Sequence, residues 1–223
     1  MHPKILVGCP TYEGKSYCLD PFSQGVRKLA YPNMDILLVD NSKKDDYARA
    51  ITAAGLPVTK IPWHESAQER IVQSRNLLRE KVLEGGYDFF FSLEQDVIPE
   101  PDTIKKLLSH QKKVVTGVVV GAQMVDGKPT LVPLVYSQPK GNNEEDALWY
   151  LPSTEINKPQ LIQVKAAALG CMLIHRSVLE EIKFRYNKGF DDMMFSKDCL
   201  LHGINMWCDT TVQPKHYSKP MEK

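Results

Sequence analysis

The sequence predicts an α/β protein, a single domain built on a mostly parallel central sheet with helices on its faces. Three observations predict it. Short apolar runs alternate with amphipathic segments, as β-α-β units require. One of those runs, Phe89 to Leu93, is aromatic or branched nearly throughout and about one strand long, which suits a strand covered on both faces. A chain of 223 residues, 43% hydrophobic and 25% charged, is also long enough to bury a large core as one globular domain.

Each element has a local reason. Lys4 to Cys9 reads as the first strand. Leu19, Phe22, Val26 and Leu29 follow at spacings of three or four and predict a helix that ends near Pro32. Asp35 to Asp40 (DILLVD) is the second strand, Asp45 to Ala54 a short helix stopped by Gly55, and Val58 to Ile61 the third strand. Ser66 with Glu69 three residues on is a capping box that opens a long helix reaching about Glu84, where Gly85 and Gly86 end it. The run FFFSL is the fourth strand.

Composition removes several functions. A net charge of +1 gives no support for nucleic acid or an anionic membrane as the main partner. No run approaches the roughly 18 apolar residues of a membrane span, and the opening MHPKILVGCP lacks the apolar region of a signal peptide. The expectation is a cytoplasmic protein without a transmembrane segment, compatible with peripheral membrane contact. Cys9, Cys18, Cys171, Cys199 and Cys208 are odd in number and never form C-x-x-C, so buried thiols are expected and neither disulfides nor a zinc knuckle.

Three strand-to-loop junctions carry polar groups: Thr11, Tyr12 and Glu13; Asp40 and Asn41; Glu94 and Asp96. The carboxyl edge of such a sheet is where ligands bind, and acidic oxygens there suit a hard divalent cation carrying phosphates. Glu94 and Asp96 are equally compatible with capping a helix that begins near Pro101. A nucleotide needs a stacking surface, a ribose acceptor and a metal for its diphosphate, and the three junctions offer candidates for each.

At these junctions the sequence resembles the family 2 glycosyltransferases of the GT-A fold. VGCPTYEG is similar to that family's first strand and P-T-Y or P-x-Y turn, LLVDNSKKDD to its V-D-D-x-S-x-D, SRNLLRE to its A-R-N helix, and SLEQDVIPEPDTI to its L-D-x-D-x-x-P segment. Glu94 stands where aspartate is more usual. In the second half, VKAAALGCMLIHRSVLEEI resembles the small-residue stretch before G-x-x-M-x-x-R-R. GFDDMMFSKDCLLHGINMWCDTTVQPKHYS resembles the stretch that starts at the family's E-D pair and ends at a histidine. The motifs keep family order over nearly the whole chain.

The resemblance implies a GT-A domain with a nucleotide-sugar half (1–100) and an acceptor half (101–223). It implies that Pro10, Thr11 and Tyr12 lie along the nucleotide, that Asp40 accepts from base or ribose, and that Arg75 and Asn76 face the nucleotide. Asp96 and His216 would hold Mn²⁺ or Mg²⁺, with Glu94 toward the ribose or a bridging water. Asp192 would be the catalytic base and Asp191 its supporting acid. The residues alone also allow plainer roles: a surface ion pair for Arg75, packing for Tyr12, a surface position for His216, and helix capping for Asp191 and Asp192.

The activity implied is inverting, metal-dependent transfer of one sugar from a UDP- or GDP-sugar to an acceptor hydroxyl. Addition of a single sugar is expected because Q-x-x-R-W and flanking membrane helices, found in processive members, are missing. Two other readings stay open, a sugar nucleotidylyltransferase and an inactive nucleotide-sugar-binding module. The first would show a Gly-rich, Arg- and Lys-containing loop after the first strand, which VGCPTYEGK does not supply; the second is opposed by finding Asp96, Asp192 and His216 together. Residues 137–160, with GNNEED and Leu148-Trp149-Tyr150, read as an acceptor-side lid. The acceptor and the oligomeric state leave no mark in the sequence.

Overall fold

The computed structural model describes residues 2–125, 127–137, 148–187 and 189–217. The first half runs β1 (Ile5–Thr11), a 3₁₀ turn (Glu13–Cys18), α1 (Leu19–Arg27), β2 (Met34–Asp40), α2 (Asp46–Ala53), β3 (Val58–Lys60), α3 (Ala67–Glu84), β4 (Phe89–Leu93), β5 (Val97–Ile98) and α4 (Thr103–Ser109). After β6 (Val114–Thr116) come β7 (Val120–Val125), β8 (Lys128–Pro133), β9 (Val135–Ser137), β10 (Trp149–Tyr150), α5 (Ser153–Ile156), β11 (Leu161–Val164) and β12 (Ala166–Ala167). β13 (Cys171–His175), α6 (Arg176–Glu181), α7 (Asp191–Leu201), β14 (Met206–Asp209) and β15 (Lys215–His216) close the chain.

Eight strands form the central sheet in the order β11-β14-β6-β13-β4-β1-β2-β3. Pairings β3-β2, β2-β1, β1-β4 and β6-β14 are parallel; β13 runs antiparallel to both β4 and β6, as β11 does to β14. The expectation of a mostly parallel sheet therefore holds. β4 is buried along nearly its whole length, but it lies at the seam between the parallel half and the antiparallel β13. Side-chain burial is the same on either kind of neighbour, so an apolar run does not report ladder direction.

The sheet is covered on both faces. α3, α6 and α7 pack on one side around Leu78, Phe90, Phe184 and Phe195, while α1, α2 and α4 pack on the other around Phe22, Ile51, Phe91 and Ile104. Gly8 lets α3 approach closely: a Cβ there would lie 2.5 Å from the Phe90 ring and 2.9 Å from Leu78. That approach brings the polar side of α3 within reach of the sheet's edge.

The predicted start of α3 forms by half of the expected box. Ser66 Oγ accepts from Glu69 N–H at 3.2 Å, but the Glu69 carboxylate accepts from Gln73 instead of returning to Ser66, whose own N–H donates to His64 Nδ1. β1 runs on to Thr11, past its expected end, because its ladder with β2 continues to the pair Thr11 and Asp40. All five cysteines are buried free thiols, as expected. Among the described residues no helix is long and apolar enough to cross a membrane. Of the expected lid, 138–147 lie outside the described residues; Tyr136 and Tyr150 pair across β9 and β10, and Leu151 is buried.

Candidate active site

A cavity of about 380 Å³ opens at the carboxyl edge of β1, β2 and β4. The loop after β1 lines it with Thr11, Tyr12 and Lys15, α3 with Arg70 and Arg75, the end of β4 with Glu94, and α7 with Asp191 and Asp192. A larger cavity of about 650 Å³ lies beside His2, Phe89, Lys113 and His175 and has no carboxylate in its wall. The carboxylates Glu94, Asp191 and Asp192 converge on the smaller one, and the chemistry is placed there.

Tyr12 in its wall stacks on Trp63, which stands outside the lining. Tyr12 and Trp63 lie with ring centres 6.2 Å apart and planes 29° apart, and the Arg70 guanidinium sits 3.9 Å from the Trp63 centre and 5.1 Å from that of Tyr12. Arg70 is held in place by donating to the carbonyls of His64 and Glu65, yet its Nε is buried without a partner. Thr11 Oγ1 is likewise buried and unpartnered. Unspent polar atoms beside a π surface suit a planar, hydrogen-bonding ligand such as a nucleobase with its ribose.

The opposite wall is a closed knot. Arg75, 1% exposed, meets three groups: Nη1 donates to Ser92 Oγ at 2.7 Å and Nη2 to Glu94 Oε1 at 3.3 Å, while Nε and Asp191 Oδ2 stand 2.6 Å apart as an ion pair without hydrogen-bond geometry. Asp192 stays outside that knot and, among the described residues, accepts only from the Met193 N–H at 2.7 Å. Burial raises its pKa to about 6; the Met193 N–H and Arg75 pull it down, and the charges of Asp191 and Glu94 push it up. A carboxylate poised near neutrality in a cleft has the profile of a general base.

Beside the cavity, Asp96 and His216 meet. Antiparallel pairing of β15 with β5 sets His216 opposite Val97, and Tyr217 N–H donates to the Asp96 carbonyl at 2.8 Å. The His216 Nδ1–H donates to the Val120 carbonyl at 2.8 Å, so Nε2 is the nitrogen facing Asp96 Oδ2, at 3.3 Å. Burial alone would raise the Asp96 pKa, but hydrogen bonding to His216 and the Lys15 charge lower it; the same hydrogen bond raises that of His216. Lys15 Nζ stands 2.8 Å from the same Oδ2, while Asp96 Oδ1 is buried without a partner. An unspent carboxylate oxygen next to an imidazole whose other nitrogen is fixed fits a divalent cation. No group of three or more His, Cys, Asp or Glu gathers there among the described residues, so further ligands would come from diphosphate and water.

The structure thus brings Pro10, Thr11, Tyr12, Arg75, Glu94, Asp191 and Asp192 to one cavity and Asp96 with His216 to its flank. The capping alternative for Glu94 and Asp96 falls away, because α4 starts at Thr103 behind Asp102. Asn76 and Asp40 are committed elsewhere. Asn76 clamps Phe184, donating to its carbonyl and accepting from its N–H. Asp40, fully buried, accepts from Ser42 and Lys60 beneath Asn41. Neither is in the cavity wall.

Sequence reasoning missed Gln95, Lys15, Arg70 and Trp63. Gln95, the middle residue of E-x-D, accepts from Tyr12 N–H at 3.0 Å and donates to the Lys15 carbonyl at 3.1 Å, which ties the loop after β1 to the end of β4. Its signal was faint: an amide between two carboxylates at a strand end. Arg70 and Trp63 carry none, since they meet only in space.

No family model and no curated protein matches the chain. Solved structures do. TarS 1–349 of S. aureus in complex with UDP-GlcNAc superposes with a TM-score of 0.63 at 13% identity, over 99% of this chain and 60% of that one. GalNAc-T7 with UDP, GalNAc and Mn²⁺ gives 0.67 at 13%, over 99% and 45%. The mannosyltransferase PcManGT of Pyrobaculum calidifontis with GDP-Man and Mn²⁺ gives 0.64 at 13%, over 96% and 56%. The fold is the GT-A glycosyltransferase fold. Within it this chain spans 45% to 60% of the length of the three neighbours, and its cavity lies where an open α/β sheet binds ligands, at the carboxyl ends of the strands.

Proposed function

We propose that the protein is an inverting glycosyltransferase that moves a single sugar from a UDP- or GDP-sugar to an acceptor hydroxyl with the help of Mn²⁺ or Mg²⁺. The observation that carries this reading is the split between two adjacent carboxylates in one cavity. Asp191 is locked to Arg75 at 2.6 Å, whereas Asp192 is free of ion pairs with its pKa near 6. The stack of Tyr12, Arg70 and Trp63 supports a nucleotide on the other wall. Five free thiols suit the reducing cytoplasm as its location.

In this reading the base and ribose lie along Thr11, Tyr12 and Arg70, and Asp96 and His216 hold the cation. The cation, when bound, neutralises charge on the departing diphosphate. Glu94, fixed by Arg75, faces the ribose or a bridging water. Asp192 takes the proton of the acceptor hydroxyl as its oxygen attacks the anomeric carbon from the face opposite the diphosphate. The bond to the diphosphate breaks with its electron pair leaving on the phosphate oxygen, so no second acid is needed to protonate the leaving group.

A thermal-shift screen of UDP- and GDP-sugars, each with and without Mn²⁺, tests the reading. A ligand at 100 times its dissociation constant adds about 2.7 kcal/mol. At least one UDP- or GDP-sugar should shift the transition, and more so with metal. A flat response across the whole set defeats the proposal.

A further inference from the structure

Lys15 is held where a diphosphate would need a positive charge. Its backbone is pinned twice, by its N–H donating to the Tyr12 carbonyl at 2.9 Å and by its carbonyl accepting from Gln95 Nε2 at 3.1 Å. It interrupts the 3₁₀ turn with φ −107° and ψ 19°. Its ammonium is not a loose surface charge: Nζ lies 2.8 Å from Oδ2 of Asp96, a residue only 5% exposed, and the side chain is part of the cavity wall with Glu94 and Asp192. Lys15 therefore stands between the cavity and the Asp96–His216 pair.

The charge balance gives that position a use. Glu94, Asp96, Asp191 and Asp192 would all repel a diphosphate, while Arg75 already faces Ser92, Glu94 and Asp191 and Arg70 lies over the Tyr12 and Trp63 rings. Among the described residues, Asp96 and His216 offer a cation only two protein ligands. Among the described residues Lys15 is the cation that borders both the cavity and Asp96, and its ammonium has three donors of which the Asp96 oxygen takes one.

We propose that Lys15 is a tethered cation for the donor's diphosphate, an inference that rests on the nucleotide-sugar reading above. Lys15 holds Asp96 through one donor hydrogen; with donor present it turns another to the phosphate oxygens and shares the leaving-group charge with the metal. Two consequences follow. Part of the diphosphate affinity is independent of metal and runs through Lys15. Lys15 also competes with a divalent cation for Asp96, so its removal strengthens metal binding to the empty protein.

Calorimetry with UDP and GDP in EDTA, on wild type, Lys15→Met and Lys15→Arg, reads the first consequence. Wild type should bind one of the two measurably without metal, Lys15→Met about tenfold or more weakly, and Lys15→Arg close to wild type. Electron paramagnetic resonance titration of Mn²⁺ without nucleotide reads the second, with Lys15→Met binding severalfold more tightly. Unfolding midpoints confirm that the variants keep the fold, which the half-exposed position of Lys15 favours. Equal UDP and GDP binding by wild type and Lys15→Met in EDTA, or an unchanged Mn²⁺ affinity, overturns the proposal. If Mn²⁺-loaded wild type still binds a diphosphate in that case, the glycosyltransferase reading survives alone. If neither diphosphate binds even with Mn²⁺, both fall.

Discussion

Arg75 and Lys15 are both cations that meet carboxylates at the same sheet edge, and they sit on opposite plans. Arg75 is buried and each of its nitrogens faces a protein group, Ser92, Glu94 or Asp191. Lys15 is half-exposed and joins an incomplete group in which Asp96 keeps one oxygen unspent. A planar guanidinium can satisfy three acceptors at once in fixed directions, so it suits a brace, whereas a rotatable ammonium can exchange partners. The contrast separates the part of the cleft that holds shape from the part with valence left for a ligand. Asp191 and Asp192, neighbours in sequence, fall on either side of that line.

The largest effect should come from the carboxylate on the open side. Asp192→Asn keeps size and hydrogen bonding but cannot take a proton, so transfer should fall about 10²- to 10⁴-fold with donor affinity nearly unchanged. The wild-type rate should climb with pH through about 6 and level off above it, because the base works only when ionised. Near wild-type transfer by Asp192→Asn, or an equal loss of donor binding, would place the base elsewhere.

Next comes the brace. Arg75→Met strands Asp191 and Glu94 without their cation and should cost about 3–5 kcal/mol of unfolding free energy in urea. Asp96→Asn, whose partners Lys15 and His216 reach solvent, should cost about 1 kcal/mol. Similar losses for the two variants would erase the distinction between the knot and the open group.

Asp96→Ala should then remove the metal-dependent part of diphosphate affinity, a loss of about tenfold or more. Titrations with Mn²⁺ and with EDTA should give the same affinity in the variant and different ones in wild type. A metal response that survives in the variant shows that the cation sits elsewhere.

The last effect is a gain. The Asp192 carboxyl binds its proton more tightly in the folded protein, so its contribution to stability is present below about pH 4 and is lost as pH rises through about 6. At pH 8 the ionised group is a cost that Asp192→Asn removes. The shift from 3.8 to about 6 would amount to about 3 kcal/mol, and contact with solvent reduces it to about 1–2 kcal/mol. The variant should melt higher at pH 8 and near wild type at pH 4; an equal gain at both would point to another cause.

The sequence by itself determined the elements and their order. Strands β1 to β4, the long α3 behind Ser66 and the acidic pair opening α7 are legible because burial periodicity and capping are local, written within a few residues of where they act. The junctions Thr11-Tyr12, Glu94-x-Asp96 and Asp191-Asp192 were legible as candidates for the same reason. Only the tertiary structure decided what each does. It gave Asp191 to Arg75 and left Asp192 free, spent Asp40 on Lys60 and Asn76 on Phe184, and laid Arg70 over Trp63. It also carried His216 to Asp96 through the pairing of β15 with β5. A carboxylate's partner and pKa depend on charges and burial within a few ångströms, and those neighbours come from distant parts of the chain that periodicity cannot register.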